Sequence, residues 1–311
     1  MRGEKGFALV IALVVTALLV ALLVEFVNEV YVDTSHSHNF VASQQAGILA
    51  ESGIQGGIKL LQVSNALRMQ GNYSSLLEPW AQPQGFEAEN GSVSITIEEE
   101  SGKLDLNLAT SETGTPDEFS HPTLLRLLDN LKLSRDLYEP LADWADTDET
   151  PRPNGAEGNY YRTLKPPYRS RDNKLETFEE LALVKGFTPE VLTKLRSCVT
   201  AYGFANGVAS QININTAPKE LLASLHEDMT RGDWVEKILE YRKTKVIKTL
   251  ADVFGSDPLG TALATKVACK GAIYRIRAEG KVGESISIAE AVVTNVQDKD
   301  NKPKVLYWRQ Y

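Results

Sequence analysis

Cysteine and histidine are scarce, two and four among 311 residues. That count leaves no room for a Cys-rich zinc framework. An excess of positive charge is missing too, since the formal net charge is -8. A general nucleic-acid binder needs cationic surface to displace counterions from phosphate, so the balance argues against that class. Nucleophile-elbow, P-loop, HExxH and dinucleotide-fingerprint patterns are absent. Asp143 and Asp146 have the chemistry of an acid–base pair, but nothing around them marks a substrate pocket, and no catalysis is expected. Proline is absent before Pro79. What remains is ordinary for a folded chain, 42% hydrophobic and 24% charged, and its length favours about two domains.

The most informative feature present is an uninterrupted apolar run. From Phe7 to Val24 there are 18 residues without charge, and only Thr16 is polar. As a helix this run reaches about 27 Å, near the thickness of a bilayer core. Arg2 and Lys5 precede it, which places the N-terminus in the cytoplasm and the rest of the chain across the membrane. A cleaved secretory signal would end in small residues; here Glu25, Phe26, Val27 and Asn28 follow, with no A-x-A. The helix is therefore expected to stay as an anchor and to continue from Glu25 to about Gln62. Ala50, Ile54, Ile58 and Leu61 share one face of it. Gly53, Gly56 and Gly57 lower helix propensity but allow close packing against a sheet.

Beyond the helix, Tyr73 to Gly91 reads as loop. Ser92 to Glu100 alternates at period two, a half-buried strand, and Ser101 to Ala109 is expected to turn at Gly102 into a second strand. From about Glu118 to Lys266 the pattern is mainly helical, through Thr123–Leu133, Leu175–Tyr202, Pro218–Leu225 and Asp233–Arg242. Strand character returns at Ala272–Lys281, Ser285–Gln297 and Val305–Tyr311. The expected fold is α+β, a long N-terminal helix on an antiparallel sheet interrupted by a large helical domain.

The leader MRGEKG, residues 1–6, followed by Phe7 resembles the class III leader of type IV prepilins and pseudopilins. The resemblance implies a prepilin peptidase cut between Gly6 and Phe7, with N-methylation of Phe7. Most members carry Glu at the fifth mature position, where this chain has Ile11. A carboxylate at mid-membrane costs on the order of 2.5–3.5 kcal/mol and is kept only for a purpose, there the N-terminal amine of a neighbour. Its absence resembles the K-type minor pseudopilins of type II secretion systems. QQAGILAESGI (Gln44–Ile54), LADWADTDETPRPNGAEGNYY (Leu141–Tyr161), KLETFEELALVKGFTPEVLTKL (Lys174–Leu195) and QININTAPKELLASL (Gln211–Leu225) also resemble that family.

The resemblance implies a type IV pilin-like fold with an inserted α-domain holding two SAM-like, helix-hairpin-helix-like repeats. Its expected layout is a leader at 1–6, a spine at 7–62 with 7–24 in the membrane, head segments at 63–110 and 269–311, and an insert at 111–268. The implied role is a minor pseudopilin at the pseudopilus tip. Implied partners are the I and J types, then the H type and the major pseudopilin. The implied location is the inner membrane, single-pass, with the head in the periplasm.

Asp143, Asp146, Asp148 and Glu149 crowd together, with Asn154, Glu157 and Asn159 across a Pro/Gly-rich turn. Hard oxygen ligands on a bent loop suit calcium. The spacing is not that of an EF-hand. Family resemblance implies calcium here, with Asp143, Asp146, Asp148, Glu157 and Asn159 as candidate ligands, although the last acid of the family's G-A-E-D is Gly158. A solvated acidic turn is the alternative. Cys198 and Cys269 are expected to form one disulfide in an oxidising compartment, against the alternative of two buried thiols. His36 and His38, two apart on a helix, do not face each other and read as solvent-facing.

QININTAPKELLASL and the segment after it also resemble helix-hairpin-helix modules of membrane-anchored competence proteins that bind DNA. The hairpin such modules need is Leu225–Asp233 here, where Glu227, Asp228 and Asp233 would repel phosphate and Gly232 stands alone. A protein-interaction scaffold is the favoured reading.

Overall fold

The computed structural model describes residues 3–68, 71–109, 115–205, 208–209, 211–297 and 303–311. Helix α1 (Gly3–Leu67) is one continuous rod, as expected for a stretch without proline. Its first part, Phe7 onward, is long and apolar enough to cross a membrane, and its apolar stretch is not buried against any of the described residues. Its second part docks on a sheet. Ala50, Ile54, Ile58 and Leu61 are buried there with Ile95, Ile97, Tyr274, Ile276, Ala278, Ala289, Ala291 and Val293. Each isoleucine or leucine buried this way contributes about 1.5–3 kcal/mol. Gly57 lets the helix approach, since a Cβ there would lie 2.6 Å from Ile276 Cγ2.

The sheet starts with β1 (Gln84–Ala88) and β2 (Gly91–Glu99), paired antiparallel across the turn at Glu89 and Asn90. This corrects the expected loop over Tyr73–Gly91. Pro83 and Gly85 mask a short edge strand whose period is too brief to read. The expected hairpin through Gly102 is also corrected. Glu100–Gly102 forms a 3-10 turn, and only β3 (Leu104–Asp105) extends, pairing in parallel elsewhere. Glu100 is buried and held by Lys103 and Arg275, which fixes the chain as it leaves the sheet.

The helical block follows. It runs through α2 (Leu106–Ala109), α3 (Ser120–Asn130), α4 (Tyr138–Ala145), α5 (Gly158–Arg162) and α6 (Pro189–Leu195) to β4 (Val199–Thr200). A small hairpin, β5 (Phe204–Ala205) and β6 (Val208–Ala209), leads to β7 (Ile212–Asn213). Then come α7 (Lys219–Ser224), α8 (Asp228–Arg231), α9 (Trp234–Thr244), α10 (Ala251–Phe254), α11 (Pro258–Leu263) and β8 (Val267–Ala268). Helix α6 starts where Thr188 caps Val191 and Pro189 occupies the first turn. Within Leu175–Tyr202, expected to be helical throughout, Phe178–Leu183 is 3-10 and Val199–Thr200 is extended. The reason is pairing: β4 lies parallel to β3, and β8 lies parallel to β7.

The chain then re-enters the sheet with β9 (Ile273–Val282), β10 (Ser285–Gln297) and β11 (Pro303–Gln310). The strand order is β1-β2-β9-β10-β11, antiparallel throughout. Strand β2 therefore neighbours β9 and not its successor in sequence. The block has its own core, which includes Leu104, Leu106 and Ala109. The insert thus begins soon after Gly102, ahead of the boundary at 111 expected from sequence; residues 110–114 lie outside the described residues.

Sheet and insert meet over a buried polar contact. Ser74 Oγ donates to Glu99 Oε1 at 2.9 Å, and Asn213 Nδ2 donates to Glu99 Oε2 at 2.8 Å. Burial raises the Glu99 carboxyl to about 7.

Candidate metal centre

Helix α4 ends at Ala145 with Asp146 as its cap. Asp143 and Asp146 are three apart, so they project from the same side of the helix end. Glu157 precedes α5 and returns to the same place. One carboxylate oxygen from each lies within 4.8 Å of the others, and all three residues are buried. The loop between them wraps tightly around Asp143. The Arg152 backbone N–H donates to Asp143 Oδ2 at 3.1 Å. Gly155 passes so close to Asp143 that a Cβ would meet Oδ2 at 1.9 Å. Lys185 Nζ donates to the carbonyls of Asn154 and Gly155 at 3.1 and 3.0 Å.

The surroundings brace this loop. Trp144 Nε1 donates to Glu180 Oε1 at 2.8 Å. Its ring meets Tyr161 edge-on at 5.0 Å, and Tyr161 stacks on Tyr168. The DWAD and Tyr161 positions singled out in the sequence are thus packing and carboxylate positions of one unit.

Three acidic groups this close need a counter-charge. Arg152 supplies part of it: Nη1 lies 2.5 Å from Asp143 Oδ1 and 2.6 Å from Asp146 Oδ2. Nε lies 3.9 Å from Glu139. Glu157 is only 3% exposed, and among the described residues neither of its carboxylate oxygens has a hydrogen-bond partner; Asp146 Oδ1 also lacks one. Burial first, then the charges of Asp143 and Asp146, raise Glu157 to about 8. Burial also raises Asp146, against the opposing bond from Arg152. Orphaned buried carboxylate oxygens, all hard donors, fit a calcium ion.

Of the five ligands expected from sequence, the structure gathers Asp143, Asp146 and Glu157. Asp148 is exposed and turns back to accept the Thr150 N–H at 2.7 Å. Asn159 is exposed and accepts from Arg162 at 3.0 Å. Sequence reading missed Arg152; the signal was a lone arginine set among the acids.

The other singled-out residues fall as follows. Gly6 lies in α1; Phe7 and Ile11 are 69% and 48% exposed on the membrane-spanning part. Arg2 lies outside the described residues. His36 and His38 are exposed. Cys198 and Cys269 are two buried free thiols, which corrects the expected disulfide. Cys198 directly precedes β4 and Cys269 directly follows β8; the Cys198 carbonyl receives the Leu104 N–H, and the Cys269 carbonyl receives that of Ser74. Leu225–Asp233 contains the short α8 (Asp228–Arg231), where Arg231 pairs with Glu227 and Asp228.

A membrane-crossing spine, an antiparallel sheet on its far half and a helical block set into that sheet define a pilin-like, single-pass membrane protein with an inserted α-domain. Comparison with known proteins sharpens the class. The family described as type II secretion system (T2SS), protein K matches residues 102–204 and 212–268, together just over half of the chain. Type II secretion system protein K of Klebsiella pneumoniae is 28% identical over 71% of this chain and 69% of its own length. That of Aeromonas hydrophila is 24% identical over 97% of this chain and 95% of its own. A putative protein K of Escherichia coli K12 is 26% identical over 62% of this chain, and the match spans 61% of that relative. The crystal structure of the GspK-GspI-GspJ complex from the type 2 secretion system of enterotoxigenic E. coli contains a chain of the same fold. Its TM-score is 0.70 at 19% identity, covering 90% of this chain and 99% of that one. The chain belongs to the type II secretion system protein K family.

Proposed function

We propose that this protein is a minor pseudopilin that ends the pseudopilus of a type II secretion system, in a tip complex with I- and J-type minor pseudopilins. The observation that carries the reading is the helical block inserted in the chain between β2 and β9, two paired neighbours of a pilin-like sheet. A subunit stacking above would have to pass that block. Ile11 removes the carboxylate such stacking would use, and the resemblance to a chain solved with GspI and GspJ supports those partners.

The supporting steps follow from the spine. Prepilin peptidase removes residues 1–6, and Phe7 becomes the methylated N-terminus. The helix stays in the inner membrane with its N-terminus cytoplasmic and the head periplasmic. The H type and the major pseudopilin join below, and the protein catalyses no reaction. Asp143, Asp146 and Glu157 would hold calcium, which would supply positive charge that ties the end of α4 to the start of α5. Acidic side chains at the Leu225–Asp233 hairpin weigh against nucleic acid as a partner.

Co-expression of the full chain with I- and J-type subunits, extraction in detergent and native mass measurement tests the role. A ternary species with one copy of each is expected. Homopolymers of this chain, or no association with either subunit, would contradict it.

A further inference from the structure

We propose that Arg152 is a resident counter-cation of the Asp143–Asp146–Glu157 cluster, which calcium must displace, so that this guanidinium sets the affinity for the ion. The inference rests on the calcium reading above and goes beyond it to a competitor within the chain.

The geometry makes the two cations mutually exclusive. Arg152 Nη1 stands 2.5 Å from Asp143 Oδ1 and 2.6 Å from Asp146 Oδ2. Calcium takes oxygen ligands at about 2.3–2.6 Å. An ion sharing these two oxygens would occupy the point where Nη1 now lies.

Arg152 is an incomplete occupant. It bonds two carboxylates of the cluster, while both Glu157 oxygens and Asp146 Oδ1 have no hydrogen-bond partner among the described residues. A guanidinium is a donor fork that reaches from one side. A spherical divalent ion can be approached by all three acids at once. The arginine therefore holds the site together in the absence of the ion without satisfying it.

Displacement leaves the loop anchored. The Arg152 backbone N–H still points at Asp143, and Lys185 still holds the carbonyls of Asn154 and Gly155. Only the side chain must swing, and it is already partly open to solvent and reaches Glu139. Competition of this kind lowers calcium affinity and stabilises the ion-free state.

The test uses the full chain in detergent, stripped with chelator and titrated with calcium chloride by calorimetry, beside Arg152→Gln. The variant is expected to bind calcium at least ~10-fold more tightly, the scale of losing a charge-assisted hydrogen bond. Its melting temperature without calcium is expected to fall below wild type, with the gap closing on saturation. Binding by both proteins with equal or weaker affinity in the variant would overturn the displacement and leave the calcium reading intact. No calcium heat in either would overturn the calcium reading itself. Should the variant fail to fold, wild-type protein still decides: phenylglyoxal labelling of Arg152, read by mass spectrometry, should rise when calcium saturates the site. Labelling that stays constant or falls would overturn the proposal.

Discussion

Asn107 and Asn215 make the same three hydrogen bonds in the two halves of the inserted domain. Asn107 Nδ2 donates to the carbonyls of Leu175 and Ala201 at 2.9 and 3.0 Å, and its Oδ1 accepts the Leu175 N–H. Asn215 does so with the carbonyls of Ile247 and Cys269 at 2.8 and 3.0 Å, and with the Ile247 N–H. Both follow a strand of alternating sequence, LDLN and ININ, that pairs in parallel with the end of its own half. The correspondence aligns Ala201 with Cys269. Cys198 then matches Lys266, so the two cysteines are not equivalent positions facing each other.

Each asparagine satisfies three buried backbone groups, so each is expected to hold its half closed. Asn107→Ala and Asn215→Ala should each destabilise the protein by roughly 3 kcal/mol, since unsatisfied buried groups cost about 1–3 kcal/mol apiece. Urea unfolding of the full chain in detergent measures this. A loss well under 1 kcal/mol at both positions would sink the role.

Glu99 gives the junction between sheet and insert a pH dependence of known sign. Its folded carboxyl, raised by burial to about 7 from 4.5, binds its proton more tightly than in the unfolded chain. The stability it contributes is complete below about pH 4.5 and is lost as pH rises through about 7, on the order of 3 kcal/mol in all. Glu99→Gln keeps the shape without the charge. Its melting temperature should match wild type near pH 5 and exceed it increasingly towards pH 8. A gap independent of pH would refute the assignment.

The leader offers a chemical prediction. Mass spectrometry of the membrane-extracted protein should find a mature chain that begins at N-methylated Phe7. A chain beginning beyond Val24 would mean a cleaved signal, and one retaining residues 1–6 would remove the prepilin assignment.

Much of this was legible because long periodic patterns survive without context. Ala50, Ile54, Ile58 and Leu61 announced the docked face of α1, and the three C-terminal strands were long enough to alternate clearly. What was not legible depends on partners far away in sequence. Strand β2 pairs with β9 across the whole insert, and β3 extends only because β4 lies beside it. The acidic cluster was half visible. Asp143 and Asp146 share a helix face, whereas the turn after α4 points Asp148 outward to its own backbone. Arg152 escaped notice because a search for ligands counts acids and passes over the cation among them.

Position in the fibre is the central claim, and labelling isolated pseudopili tests it most directly. Glu190 lies exposed on α6 of the insert, while Cys198 and Cys269 are buried, with burial pushing the Cys269 thiol up to about 11. A Glu190→Cys variant therefore offers one reactive thiol for maleimide-gold. Electron microscopy should show gold at one end of each fibre and nowhere else; gold spaced along the fibre length would contradict a terminal position.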